Sequence, residues 1–350
     1  MHTAVVHAVH VLAAHVDAVG PLSPAAYSLV FSIPEAVLCL PVASALHADC
    51  IAVLSAHVSD GLAASMLPAH LRVALHVAAV APPFRADAQR LLTALAPTIN
   101  SAEAAAIFAS GFAAAEPEAR AAALAAADAA AVFAADPPRS LLRAPCPLSA
   151  LWLAAHDPDT ASAAPAAALL EAGGGPEAVH SAEFLQHALG HLSAAAASVR
   201  TAAAAAVRAA AAPDADLIAA VCEHAMRGDA AGDAAARGGA AAAIEHIAPL
   251  VTDAAAVLRL MEFVLESGLP DGDGSVRKAF VAAGGAVVEA HGASQQEALM
   301  PLIEKYLENR HHLPEALYDQ VLALPHSPSS HCVCCCFMRS AALFCRPPWR

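Results

Sequence analysis

Nine cysteines, nineteen histidines and thirty-two carboxylates are the side chains of this 350-residue chain that could bind a metal, attack a substrate or move a proton. Five of the cysteines, Cys332, Cys334, Cys335, Cys336 and Cys345, crowd the last nineteen residues. Zinc sites take their ligands in pairs at loop spacing. His331, Cys332 and Cys334 to Cys336 are almost adjacent, so they cannot all converge on one tetrahedral ion. Asp271-Gly272-Asp273-Gly274 has the opening of a calcium loop but lacks the later glutamate ligand. Gly173-Gly174-Gly175-Pro176 has no strand before it and no Lys-Ser/Thr after it, so it reads as a helix-breaking turn rather than a phosphate cradle. There is no nucleophile elbow and no H-E-x-x-H helix. The histidines stand singly, apart from His311-His312. Catalysis needs convergent groups; the spacing offers none, and neither catalytic, cofactor-binding nor metal residues are assigned.

Composition says what carries these side chains. Alanine supplies roughly 28% of the chain, far above ordinary usage, and aromatics only 4%. Alanine loses no side-chain entropy in a helix, so the expected class is all-α. Part of the excess is what a GC-rich coding sequence would produce. A formal charge of −14, with Lys278 and Lys305 the only lysines, leaves no general phosphate-tracking surface. No sequence-specific nucleic-acid contact is expected. Mean hydropathy is +0.54, yet the longest apolar candidate, from Ala25 to Leu46, is interrupted by Pro34, Glu35 and Pro41. A membrane span needs about 20 uninterrupted apolar residues. Met1 to Val19 lacks the cationic start of a signal peptide. No membrane partner is expected, and Cys39, Cys50, Cys146 and Cys222, scattered singly, suit a reducing, cytoplasmic location.

The elements that position the charged side chains recur. A turn followed by an arginine and an alanine-rich helix appears at Arg120, Arg200, Arg237 and Arg277. Asp157-Pro158-Asp159-Thr160-Ala161-Ser162 fills the same place, with Ser162 where arginine is expected. The steps from 120 to 162, 200, 237 and 277 are 42, 38, 37 and 40 residues, and an earlier copy is read at Leu71-Arg72, 48 residues before Arg120. Helix-pair repeats of the HEAT and armadillo type have periods of roughly 40–47 residues. One copy shows the physics. Val257, Leu260, Met261, Val264 and Leu265 form one helical stripe, and the turn from Gly268 to Gly272 breaks it. A second helix starts near Ser275 and buries Val276, Phe280, Ala283 and Val287. His291-Gly292 closes it, Ser294 to Glu297 has capping-box spacing, and Leu299, Leu302, Ile303, Tyr306 and Leu307 form the next stripe. Such pairs bury their faces only by stacking on neighbours. The acids and arginines of the turns, Arg120, Asp157, Arg200, Asp271 and Arg277, are expected to tie successive repeats together. Partner contact by Arg277 and Lys278 is the alternative.

Residues 275–310, SVRKAFVAAGGAVVEAHGASQQEALMPLIEKYLENR, go further. The Val276-Arg277 start, the His291-Gly292 end and the run Met300-Pro301-Leu302-Ile303-Glu304 with Tyr306-Leu307 closely resemble a segment of the HEAT-repeat translational activator of the initiation-factor-2-alpha kinase. ALWLAAHDPDT at 150–160, LPAHLRVALHVAAVAPPFR at 67–85, YSLVF at 27–31 and EALYDQV at 315–321 follow in that family's order. The resemblance covers roughly residues 25–321. It implies a non-enzymatic, cytoplasmic scaffold of general amino-acid control, with the ribosome and components of a protein-kinase pathway as partners of the full-length protein. The kinase-binding region lies beyond this segment in the family's order, so kinase contact is assigned to no residue here. The chain is read as an internal fragment or truncated gene model, because polar end caps are missing. A generic HEAT interaction module, of tubulin-binding or phosphatase-scaffold type, is the alternative within the same fold. The acidic turns argue against the tubulin version.

The expected organisation is a solenoid segment of six to eight helix pairs over 1–321 and a cysteine- and proline-rich tail over 322–350. The tail is read as translated intron or shifted frame. A disordered tail, or one working through metal or palmitoyl groups on its cysteines, is the other reading.

Overall fold

The computed structural model describes residues 2–40, 45–133, 141, 145–173, 182–210, 215–226 and 233–308. The cysteine tail, Glu315–Val321 and His311-His312 lie outside the described residues. Among the described residues every regular element is a helix and there is no strand. The chain divides into two compact units, Met1–Phe184 and Leu185–Arg350, with the boundary inside one helix.

Unit 1 contains α1 (His2–Val19), α2 (Pro24–Val30), α3 (Ser32–Leu38), α4 (Ala45–Ser59), α5 (Leu67–Val80), α6 (Arg85–Leu95), α7 (Ala102–Ser110), α8 (Pro117–Ala129), α9 (Pro145–Ala155) and α10 (Thr160–Gly173). Where a membrane span was considered, the prolines and a turn produce two seven-residue helices, α2 and α3. No helix among the described residues is long and apolar enough to cross a membrane. From α3 on, the helices alternate between two stacks: α3, α5, α7 and α9 pack successively on one another, and α4, α6, α8 and α10 do the same. The odd stack contributes bulky side chains, such as Phe108 in α7 and Leu151, Trp152 and Leu153 in α9. The even stack is smoother; α8 buries Ala119, Ala122, Ala123, Ala126 and Ala127. Small side chains let the helices approach closely, which offsets the little apolar area each alanine buries.

Unit 2 takes α11 (Ala182–His191) from Leu185 on, then α12 (Ala197–Ala210), α13 (Ala215–Met226), α14 (Ala234–Ile247), α15 (Ala254–Phe263), α16 (Gly274–His291) and α17 (Gln296–Glu308). Here α12, α14 and α16 stack in order, as do α13, α15 and α17. Aspartates start three of these helices. Asp233 caps Ala236 N–H, Asp253 caps Ala256 N–H, and Asp273 Oδ1 accepts from Ser275 and Val276 N–H. A π-turn over Val264–Gly268 ends α15, and there Gly268 lies under the Phe280 ring, where a Cβ would collide with it. Gly239 of α14 likewise lies against the Leu192 carbonyl.

The stripes read from the sequence are buried: Val257, Leu260, Met261, Val264 and Leu265, then Val276, Phe280, Ala283 and Val287. In α17, Leu299 and Ile303 are buried, Leu302 and Tyr306 half-buried, and the Leu307 side chain lies outside the described residues. Two details differ. Ser294 does not cap α17; its hydroxyl donates back to His291 O at the end of α16, and α17 begins at Gln296. The hydroxyl is one residue too early to reach the first turn and takes the orphan carbonyl behind it instead. The second concerns Arg72. It lies on α5, in the odd stack, whereas Arg120 lies on even-numbered α8. The arginine opening the preceding even helix is Arg85, 35 residues before Arg120. A uniform period overshoots because this repeat is short.

Candidate functional site

The charged residues singled out in the turns gather at one recurrent place, the start of each even-numbered helix. Arg120, Arg200, Arg237 and Arg277 are all the fourth residue of their helices. The guanidinium groups of Arg120, Arg200 and Arg277 reach backwards: Nη1 of Arg120 donates to Ala114 and Ala115 O at 2.7 and 3.1 Å. Arg200 does so to Ala194 and Ala195 O at 2.7 and 2.8 Å. Arg277 does so to Asp271 and Gly272 O at 2.7 and 3.0 Å. Carbonyls five and six residues earlier are the loop groups that the preceding helix and turn leave unpaired.

In Arg120 the other edge of the same fork meets an acid of the next turn, and Arg237 meets one likewise. Arg120 Nε lies 2.6 Å from Asp157 Oδ2, an ion contact rather than an aligned hydrogen bond. Both residues are buried, with 2% and 8% of their surface exposed. Arg237 Nε donates to Asp271 Oδ2 at 2.5 Å and its Nη2 to Oδ1 at 3.3 Å. The Asp271 hydrogen bond raises the Arg237 pKa further above its usual range. Arg85 makes a looser version, with Nε donating to Ala78 O and Nη2 3.2 Å from Glu118. Lysine could not serve, because only a planar fork binds loop carbonyls and a carboxylate at once.

The two aspartates of each acidic turn divide the work. Asp157 and Asp271 take the arginine, and their Oδ1 atoms accept from the N–H two residues on, at 2.8 Å in each case. Asp159 and Asp273 then cap the helix: Asp159 Oδ1 accepts from Ala161 N–H at 3.0 Å. The capping bonds, with the Ser275 hydroxyl first among them, lower the Asp273 pKa. What resembled a calcium loop is therefore a turn with its carboxylate oxygens turned onto protein donors. In α10 the place equivalent to the arginines, four residues after the capping aspartate, belongs to Ala163. Ser162 stands one residue before it, fully buried, with its hydroxyl making no hydrogen bond. Asp271 and Arg277 do not pair through side chains; Arg277 holds the Asp271 carbonyl while Arg237, from the preceding repeat, holds the carboxylate. Lys278 is exposed on α16.

One constellation escaped sequence reasoning, which took the histidines singly. Tyr27 of α2, His57 of α4 and His70 of α5 form a buried cluster in unit 1. Tyr27 Oη lies 2.8 Å from His70 Nε2, and Tyr27 stacks on the His57 ring at 3.7 Å. Phe31 stacks on His70 at 4.5 Å. Burial pushes the Tyr27 pKa up and holds His70 down at about 4. Tyr27 and Phe31 at helical spacing hinted at one buried face; nothing in the sequence indicated which histidines would meet it. No group of three or more His, Cys, Asp or Glu among the described residues is arranged to hold a metal ion.

A helix-pair repeat with arginine–carboxylate rungs is an architecture that many proteins share, so the family rests on a comparison. The family model described as "Stalled ribosome sensor GCN1, HEAT repeats" matches residues 142–322, just over half of the chain. The chain belongs to the GCN1 HEAT-repeat family. No curated protein and no solved structure matches it. The GCN1-type stretch takes in Asp157, Arg200, Arg237, Asp271, Arg277 and Lys278. Arg120 precedes it, yet holds Asp157 by the same fork. The resemblance read from residues 275–310 lies inside this stretch and points to the same family.

Proposed function

We propose that the chain is a non-enzymatic scaffold segment of the GCN1 type, which engages ribosomes and helps relay amino-acid starvation to the kinase of initiation factor 2 alpha. The family match over residues 142–322 carries this reading. The geometry supports its non-enzymatic part: the arginines and aspartates at the repeat turns are directed at backbone carbonyls, helix ends and one another. A repeat array contributes surface, and its rungs keep that surface in register. With its acidic balance the chain would meet a ribosome through basic protein rather than through phosphate.

Co-sedimentation tests this. The purified chain is mixed with ribosomes stalled during elongation or with vacant ribosomes and spun through a sucrose cushion. Enrichment in the stalled pellet is the expected result. A chain that stays in the supernatant with both would favour a generic HEAT interaction module, and the ribosomal reading would fail.

A further inference from the structure

The buried cluster in unit 1 has a polarity that its hydrogen bonds dictate. His57 Nδ1 lies 2.7 Å from Val53 O, which only accepts, so Nδ1 carries a proton. Its Nε2 receives Leu22 N–H at 2.9 Å, so Nε2 is bare. The ring is thus neutral and in a single tautomer. His70 is arranged alike, with Nδ1 2.9 Å from Met66 O and Nε2 facing the Tyr27 hydroxyl. The two differ in what happens when a proton arrives. The Tyr27 hydroxyl can turn and accept from a protonated His70. Leu22 N–H is a backbone donor and cannot become an acceptor, so a protonated His57 sets N–H against N–H. Leu22 and Tyr27 belong to one short segment, and both imidazoles hold it.

We propose that His57 is an acid-released latch for residues 22–31, holding α2 against α4 and α5 while neutral and letting it go when protonated. The proton taken up by Nε2 replaces the Leu22 bond, and the Tyr27–His57 stack opens with it. Tyr27 and Phe31, both buried, then become accessible. Burial holds the His70 pKa down at about 4, and its partner, the Tyr27 hydroxyl, can accept as well as donate. The other titratable neighbours are Tyr27 on α2 and Cys50 on α4, both raised by burial. The packed helices also carry Asp17, near the end of α1, Asp60, just past α4, and several charged groups held by one another. Asp49 of α4 pairs with His10 of α1, Glu35 of α3 lies against Cys39, Arg72 of α5 pairs with Glu103, and Asp87 of α6 with Arg90.

Labelling the full chain with 15N at leucine and histidine allows the scalar coupling across the Leu22 N–H···Nε2 bond to be followed from pH about 8 to about 5. The coupling is expected at the upper end and disappears as His57 Nε2 protonates. Amide exchange over residues 22–31, corrected for its intrinsic pH dependence, then rises about tenfold or more while α8 to α10 keep their protection. His57→Phe keeps a ring on Tyr27 but no acceptor, and should show the released exchange already at neutral pH. His57→Gln keeps an acceptor that does not titrate, and should hold the segment throughout. A coupling that persists down to pH about 5 would overturn the proposal. So would a His57→Phe chain with wild-type protection, or loss of α8 to α10 at the same pH as the segment.

Discussion

The Arg120–Asp157 contact shows how much hangs on one buried pair. Removing one partner leaves a charge with neither water nor a counter-ion, which typically costs about 3–5 kcal/mol. Arg120→Ala is therefore expected to destabilise unit 1 by about that much in urea unfolding, whereas Arg120→Met with Asp157→Leu together should cost far less. Arg237 is more exposed, with 20% of its side-chain surface open, and Arg237→Ala should cost about 1–2 kcal/mol. Ala131, which follows α8, adopts φ 50°, a left-handed conformation that glycine tolerates better. Ala131→Gly should raise stability by up to about 1 kcal/mol, read as a shift in the urea midpoint. The titration of His70 has a definite sign. Its pKa falls from an unfolded value of about 6.5 to about 4, so the native state binds fewer protons over that range. Stability is full above pH about 6.5 and declines as the pH falls towards 4, by about 3 kcal/mol from this group. His187 in α11, also held at about 4 by burial and then by His191, acts in the same direction. Urea midpoints measured between neutral pH and pH 4 check this; a flat profile would contradict it.

At the scale of elements, a helix survives here through its ends and its closest neighbour. Asp273 provides the first-turn acceptor of α16, and Asp273→Ala should cost about 1 kcal/mol. Gly239→Ala pushes a methyl group into the backbone carbonyl of Leu192, which a side-chain rotation cannot relieve. A loss of about 1–3 kcal/mol is expected, with the local amide exchange of α14 raised. The helix starts and stripes of α15 and α16 were legible because caps and the 3.6-residue period are local properties. The Ser294 cap was not, since the choice between the carbonyl behind and the N–H ahead depends on where the backbone turns. Arg72 was misplaced for a related reason: spacing says how often a turn recurs, and only packing says which stack a helix joins.

For the whole molecule, neighbouring repeats contact mainly each other, so damage should be read close to where it is made. With Trp349 replaced by phenylalanine, Trp152 of α9, buried against Phe184, is the one tryptophan reporter of unit 1. Arg120→Ala should lower the denaturant midpoint of its fluorescence. Asp271→Ala, in unit 2, should lower the helical signal while moving that fluorescence much less. Coincident shifts for both variants would mean that the repeats unfold as one.

The sequence alone determined the all-α class, the repeat and the family resemblance, because alanine content, helix breaks and the recurring turn are each written in consecutive residues. It also named the charged residues of the turns. Their pairing was decided by tertiary structure: Asp271 stands six residues from Arg277, yet its carboxylate faces Arg237, thirty-four residues away. Stacking brings the start of one even helix beside the turn before the next, and the arginine fork is long enough to span that gap. The meeting of Tyr27, His57 and His70 is likewise a product of three helices packing, and no spacing in the chain encodes it. Local chemistry selects the groups; the stacking of repeats selects their partners.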